Sequence, residues 1–187
     1  MVSLISLWLP ILLSAVAAFV ASAIVHMALR YHNADFGRVP GEDDVMRALA
    51  AQNLSPGDYI FPYPHGGEAA MKDPAFIEKR TRGPSGLLRV FRPGMPSMGG
   101  LFGKWFIYQV IVSIFAAYLA GRALPPGAEA GEIFRFTATV GFLAYGMAYA
   151  GEAIWYERPW RTTIKNLLDA VIYGAAMGAV FVWLWPK

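Results

Sequence analysis

The chain has 187 residues, of which 56% are hydrophobic and only 16% are charged, whereas soluble globular proteins average ~25% charged residues. It contains no cysteine, which excludes disulfides, thiolate nucleophiles and cysteine-held zinc or iron–sulfur centres. The net charge of +3 is small, and no basic stripe of the kind that binds nucleic acid is present. This composition, together with the apolar runs described next, favours an all-α membrane protein that is embedded in the lipid bilayer.

The first apolar run covers residues 4–29 and is predicted to be a transmembrane helix. An α-helix needs ~20 apolar residues to cross ~30 Å of hydrocarbon. A secretory signal peptide is the usual alternative, but it carries a basic region before a shorter apolar core. Because no charge occurs before Arg30, we expect a retained anchor. Three small residues four positions apart form a face for helix packing: Ser14, Ala18 and Ser22.

Residues 30–104 are rich in proline and glycine and are predicted to form a cap of short helices between the first and second transmembrane helices. One short helix is expected over residues 42–53, because three acidic residues at its start complement the helix dipole. Another should begin at Asp73, with a proline in its first position, and end at Gly83. Residues 86–92 mix apolar and basic side chains, and they form either a short strand or a segment in the headgroup layer.

Three further apolar runs, residues 105–121, 136–151 and 166–185, complete four predicted transmembrane helices. Residues 1–187 are therefore expected to form a single membrane domain. In the last run, a stripe of small residues at intervals of four allows close helix packing: Ala170, Gly174 and Gly178. The stripe can serve packing within the chain, or contact with a partner subunit or another copy.

Lysine and arginine are concentrated in the connection after the first helix and in the connection before the last helix. Cytoplasmic loops carry these residues in excess. We therefore predict that residues 30–104 lie in the cytoplasm and that both chain termini lie outside.

Ionisable residues at membrane depth are energetically expensive and are functional candidates by default. Four of them stand near the inner ends of the predicted helices and are expected to form a polar cluster: His26, Glu152, Lys165 and Asp169. The cluster is either a site that handles a proton or cation, or a structural Lys165–Asp169 pair beside a hydrogen-bonded histidine. We favour the structural interpretation, because no ionisable residue in the outer half of the bundle would continue a path.

Neither a metal site nor a catalytic site is expected. The histidines are His26, His32 and His65, without an H-x-x-x-H or H-E-x-x-H pair. On one continuous helix, His26 and His32 would lie ~120° apart rather than on one face. Only His26 stands at membrane depth, which disfavours a haem between two histidines. Since no nucleophile elbow, Walker loop or dinucleotide-binding motif occurs, we predict no enzyme activity and no cofactor.

Several short motifs are distinctive along the chain: SLWLP at 6–10, PGDY at 56–59, AGRALPPG at 120–127, Ile154-Trp155, Pro159-Trp160, Lys165, Asp169, Ile172-Tyr173 and WLWP at 183–186. Together they resemble a group of small four-helix bacterial membrane proteins of unassigned activity. The resemblance implies a location in the bacterial cytoplasmic membrane, and it implies no catalytic residues.

These features predict a non-catalytic integral membrane protein that is a structural or accessory subunit of a larger membrane assembly. Its partners would be other membrane-protein subunits or further copies of itself, bound through the cap and the small-residue helix faces. The alternative is a small oligomeric channel or transporter that uses His26, Lys165 and Asp169 at its inner mouth.

Overall fold

The computed structural model describes all residues, Met1–Lys187, and is mostly helical. Its regular elements in chain order are α1 (Trp8–Ala23), α2 (Glu42–Ala50), β1 (Gly57–Phe61), α3 (Pro74–Arg82), β2 (Gly86–Val90), α4 (Met98–Ala123), α5 (Ala130–Trp155) and α6 (Trp160–Leu184). The chain divides into two compact units, where the sequence analysis expects one membrane domain. We call Met1–Gly37 with Pro96–Lys187 the bundle unit, and Arg38–Met95 the connecting unit.

The bundle unit is a closed arrangement of four long helices. Helix α1 packs against α4 and α6, and α5 contacts the same two helices, most closely α6. Each helix therefore has two neighbours. The core between them consists of small and aromatic side chains, including Ala18, Ala116, Ala170 and Phe181, all fully buried.

Three helical segments are long and apolar enough to cross a membrane: Ile5–Leu29, Met98–Ala123 and Trp160–Leu184. The prediction of membrane-spanning helices is confirmed to that extent. Helix α5 has 26 residues, which is enough length, but it is less apolar. Arg135 lies near its start, and its central part contains threonine, glycine and tyrosine residues.

The helices extend further than the apolar runs predict. The runs 105–121, 136–151 and 166–185 correspond to the longer helices Met98–Ala123, Ala130–Trp155 and Trp160–Leu184. The apolar runs stop at polar and charged residues, whereas the helical backbone continues past them. At the start of α4, the Ser97 hydroxyl accepts a hydrogen bond from the Gly100 amide (3.3 Å) and caps the helix.

The small residues of α6 are used inside the chain. A Cβ atom added to Gly174 would lie 2.6 Å from the carbonyl oxygen of Ala138 on α5, and one added to Gly178 would lie 2.9 Å from the Phe134 ring. Farther along the same contact, Ala170 meets Gly146. Backbones can approach this closely only where side chains are small. The stripe therefore packs against α5 and is not an exposed face for a partner.

The small face of α1 is also buried, with Ser14 and Ala18 fully covered and Ser22 only 4% exposed. The Ser22 hydroxyl donates to the Phe19 carbonyl (2.8 Å) and accepts a hydrogen bond from the Trp105 indole nitrogen (2.9 Å). This pair joins α1 to α4 near the end of the bundle where α1 ends.

We expect Ser22→Ala to destabilise the bundle by about 1–3 kcal/mol, because the half-buried Trp105 N–H would lose its acceptor. Thermal unfolding in detergent, followed by circular dichroism, measures the loss. Ser3→Ala is the matched control, since Ser3 is exposed and its hydroxyl contacts only Ser6. An equal effect of the two changes would contradict the assigned role of the Ser22–Trp105 bond.

The connecting unit contains a two-stranded antiparallel sheet in addition to short helices. Strands β1 and β2 pair antiparallel, from Gly57 opposite Val90 to Phe61 opposite Gly86. Residues 86–90 thus form a strand. The predicted cap of short helices therefore differs from the structure, which combines helices with strands. Helix α3 begins at Pro74, where the Asp73 carboxylate accepts from the Ala75 amide (3.0 Å), as predicted. Helix α2 ends at Ala50, three residues before its predicted end.

Candidate functional site

The first membrane helix does not continue straight into the connecting unit. After α1, the backbone widens into a π-helical turn over Ile24–Leu29, and Arg30 takes a left-handed conformation with φ of 52°. A short 3₁₀ segment, Tyr31–Asp35, follows and contacts α6. We call Tyr31–Asp35 the return segment. It brings polar side chains back against the bundle.

Asp169 on α6 is the centre of the resulting cluster. Its side chain is only 4% exposed. One carboxylate oxygen accepts a hydrogen bond from the Tyr31 hydroxyl. The other lies 2.7 Å from Nε2 of His32 and 3.9 Å from Nε2 of His26. All three partners come from the end of the first helix or the return segment.

A second buried carboxylate lies next to the first. Asp35 is also 4% exposed at its side chain, and it pairs with the Lys165 ammonium group (2.5 Å) and with Nδ1 of His32 (2.6 Å). Burial raises the pKa of the Asp35 carboxyl, but the hydrogen bonds from Lys165 and His32 outweigh it and hold that pKa below its usual value. Lys165 also donates to the Tyr31 carbonyl (2.7 Å), which ties the return segment to α6.

The structure brings together three of the four residues of the predicted polar cluster, namely His26, Lys165 and Asp169. Glu152 lies apart and pairs with Arg158 (2.7 Å) at the end of α5. The expected Lys165–Asp169 ion pair does not form. Lys165 pairs with Asp35 instead.

Sequence reasoning missed Tyr31, His32 and Asp35. It compared His26 and His32 as positions on one continuous helix, where they would lie on different faces, although the predicted first helix ends at residue 29. The left-handed residue Arg30 reverses the chain instead, and the imidazole rings of His26 and His32 lie 4.6 Å apart. The one available signal was the His32–Asp35 spacing of three, which suits a local side-chain contact.

Deeper in the bundle, several polar side chains are buried without a hydrogen-bond partner. They are Gln109 and Ser113 on α4, Tyr145 on α5 and Tyr173 on α6. The rings of Tyr145 and Tyr173 pack edge to face, with centroids 5.8 Å apart. Tyr173 follows Asp169 by one helical turn, so the polar side chains continue from the cluster into the middle of the bundle.

The cluster contains groups that exchange protons and groups that bind metal ions. A carboxylate oxygen of Asp169 and one nitrogen from each of His26 and His32 all lie within 4.8 Å of one another. These three atoms can therefore contact a single ion.

No protein-family model matches the chain, and comparisons with curated proteins and with solved structures give no significant match.

Proposed function

We propose that this chain is a non-catalytic accessory subunit of a larger membrane assembly, and that the connecting unit carries the contact with its partner. In this proposal all four long helices cross the bacterial cytoplasmic membrane, both termini lie outside and the connecting unit lies in the cytoplasm. The small-residue stripe of α6 takes no part in assembly, because α5 already covers it.

The observation that carries the proposal is how little the connecting unit buries. Among Arg38–Met95, only Pro62 is buried. Many large apolar side chains are exposed there, including Met46, Ile60, Leu87, Phe91 and Met95. A unit of this size is normally held together by buried apolar surface. Covering these side chains with a second protein would supply the missing burial.

The two-stranded sheet offers a regular part of this surface. On one face, Asp58 and Arg89 form an ion pair (2.6 Å), and the Arg89 hydrogen bond lowers the pKa of the Asp58 carboxyl. Ile60 and Leu87 stand opposite each other on the same face, and both are more than two-fifths exposed. Neither strand has a second neighbour, and a sheet of only two strands is marginally stable alone.

Charge favours a protein partner over the lipid surface. The connecting unit carries eight basic and seven acidic side chains, so its net charge is close to zero. Anionic lipid attracts strongly basic segments. Helix α2 begins with Glu42, Asp43 and Asp44, which anionic lipid would repel.

The fourth span and the orientation have separate support. The charged residues of α5 lie in its end turns, and residues 136–151 contain none. This uncharged stretch lies beside α4 and α6, so it can cross the membrane with them. The orientation follows from the excess of lysine and arginine in the connections at the α1 carboxyl end.

Native mass spectrometry of the particle purified from its own membrane in mild detergent tests the proposal. We expect a defined assembly that contains other polypeptides. A particle made only of this chain would overturn the accessory function and put the alternative first.

A double change, Ile60→Thr with Leu87→Thr, should release the partner while the bundle stays folded. Threonine keeps the β-propensity of both positions but removes apolar contact area. We expect at least a tenfold loss of co-purified partner. Ile60→Val with Leu87→Val is the matched control and should retain it. Equal retention by both variants would exclude this face as the contact.

The alternative is an oligomeric channel or transporter with a His/Asp/Lys site at the inner leaflet. The buried polar side chains that lack a hydrogen-bond partner favour this alternative: Gln109, Ser113, Tyr145 and Tyr173. They would hydrogen-bond water molecules along part of a transport path. Asp169→Asn separates the two functions. It should abolish flux in proteoliposomes if the chain is a transporter, and it should leave partner binding unchanged if the chain is an accessory subunit.

A further inference from the structure

We propose that His26, His32 and Asp169 bind a divalent transition-metal ion of the Zn²⁺ type. The three ligand atoms lie within 4.8 Å of one another, and they come from the end of the first helix, the return segment and α6. Two imidazole nitrogens and one carboxylate oxygen are ligands that Zn²⁺ accepts, at ~2.0–2.2 Å each. The proposal goes beyond the accessory function and does not depend on it.

The two distances from the imidazole nitrogens to Asp169 require only small movements. Ligands on a tetrahedral Zn²⁺ ion lie ~3.3 Å apart, given the metal–ligand lengths above. His32 Nε2 and Asp169 Oδ2 are 2.7 Å apart, and His26 Nε2 is 3.9 Å from the same oxygen. The His32–Asp169 contact opens and the His26–Asp169 contact closes, each by about half an ångström. The two imidazole nitrogens lie within 4.8 Å of each other and must also approach, and rotation of the His26 side chain supplies that movement.

The surrounding hydrogen bonds already orient the ligands. Nδ1 of His32 bonds to the Asp35 carboxylate (2.6 Å), which directs Nε2 toward Asp169. Metal-bound histidines generally hold their second nitrogen in this way. The Tyr31 hydroxyl bonds to one oxygen of Asp169 and leaves the other oxygen facing both imidazoles. Lys165 in turn holds Asp35.

Charge balance also favours an ion at this position. Asp169 is almost fully buried, yet the nearest lysine is engaged by Asp35 and the Tyr31 carbonyl. A buried carboxylate needs a compensating positive charge. An ion held by His26, His32 and Asp169 would supply that charge.

Access and ion type follow from the same residues. The His26 side chain is 48% exposed, so an ion can reach it from outside the bundle. Three protein ligands leave a fourth position for water. Nitrogen ligands disfavour Mg²⁺ and Ca²⁺, which prefer all-oxygen sites.

The test is metal binding by the full-length protein in detergent. After treatment with a chelator and dialysis, one equivalent of Zn²⁺ should bind per chain, and the melting temperature should rise. Co²⁺ in its place should give the visible absorption of a four-coordinate site. Mg²⁺ should give none of these effects.

His26→Ala is the deciding variant, because His26 is half-exposed and lies outside the Lys165–Asp35–His32 contacts. We expect at least tenfold weaker Zn²⁺ binding and loss of the Co²⁺ absorption. Asp169→Asn should weaken binding further. His65→Ala is the matched control, since His65 belongs to the connecting unit. Failure of the wild-type protein to retain Zn²⁺, or equal binding by the His26 and His65 variants, would overturn the proposal.

Discussion

Gly174→Leu is expected to unfold or seriously destabilise the bundle. Even a single added carbon at this position would lie 2.6 Å from the Ala138 carbonyl oxygen and 3.0 Å from the Phe142 amide nitrogen. Both atoms belong to the backbone of α5, so no side-chain rotation relieves the clash. Overpacking typically costs about 1–3 kcal/mol, and we expect the upper end of that range or more. Thermal unfolding in detergent and the protein level in the membrane measure the effect.

Gly151→Leu is the matched control for this change. Gly151 lies in the last turns of α5, and a Cβ atom there would meet nothing within 4 Å. Its replacement should leave stability unchanged or slightly higher, because glycine is a poor helix former. If both variants melt at the wild-type temperature, the close contact between α5 and α6 is not what holds the bundle together.

Lys165→Met is expected to cause the second large loss of stability. The change leaves the Asp35 carboxylate buried without its ammonium partner, and breaking a buried ion pair costs about 3–5 kcal/mol. The Tyr31 carbonyl also loses its donor. We therefore expect the return segment to detach from α6, which faster proteolysis near residues 30–37 would report.

A double-mutant cycle distinguishes the ion pair from general disruption. Asp35→Leu should also be destabilising alone, because it leaves the lysine uncompensated. The combination with Lys165→Met should cost clearly less than the sum of the single changes, since no unpaired charge remains. Strict additivity of the two effects would show that Lys165 and Asp35 do not stabilise the protein as a pair.

The sequence predicts long helices well because apolar length is a local property. It places Gly174 and Gly178 on one stripe, and the structure shows the close contact that such spacing permits. Hydropathy marks only the apolar part of each helix, because it falls at charged residues such as Lys165 whereas the hydrogen-bonded backbone continues.

The candidate site is predicted only in part, for a different reason. His26 and Asp169 are ionisable residues within apolar stretches of sequence, so the local sequence is enough to identify them. His32 and Asp35 join them through the backbone reversal at Arg30. A left-handed conformation at a residue other than glycine has little local signal, and it depends here on contacts more than one hundred residues away in the chain.

The two ends of the bundle differ in a way that gives the molecule a direction. At the end where α1 begins, the backbone of Val2 bonds to Gly121, Gly127 bonds to Pro186, and the Trp185 indole bonds to the Pro125 carbonyl. The opposite end holds the ionisable cluster and the accessible His26. The cluster is therefore accessible through His26 at one end of the bundle, and an ion bound there as proposed would enter from that end.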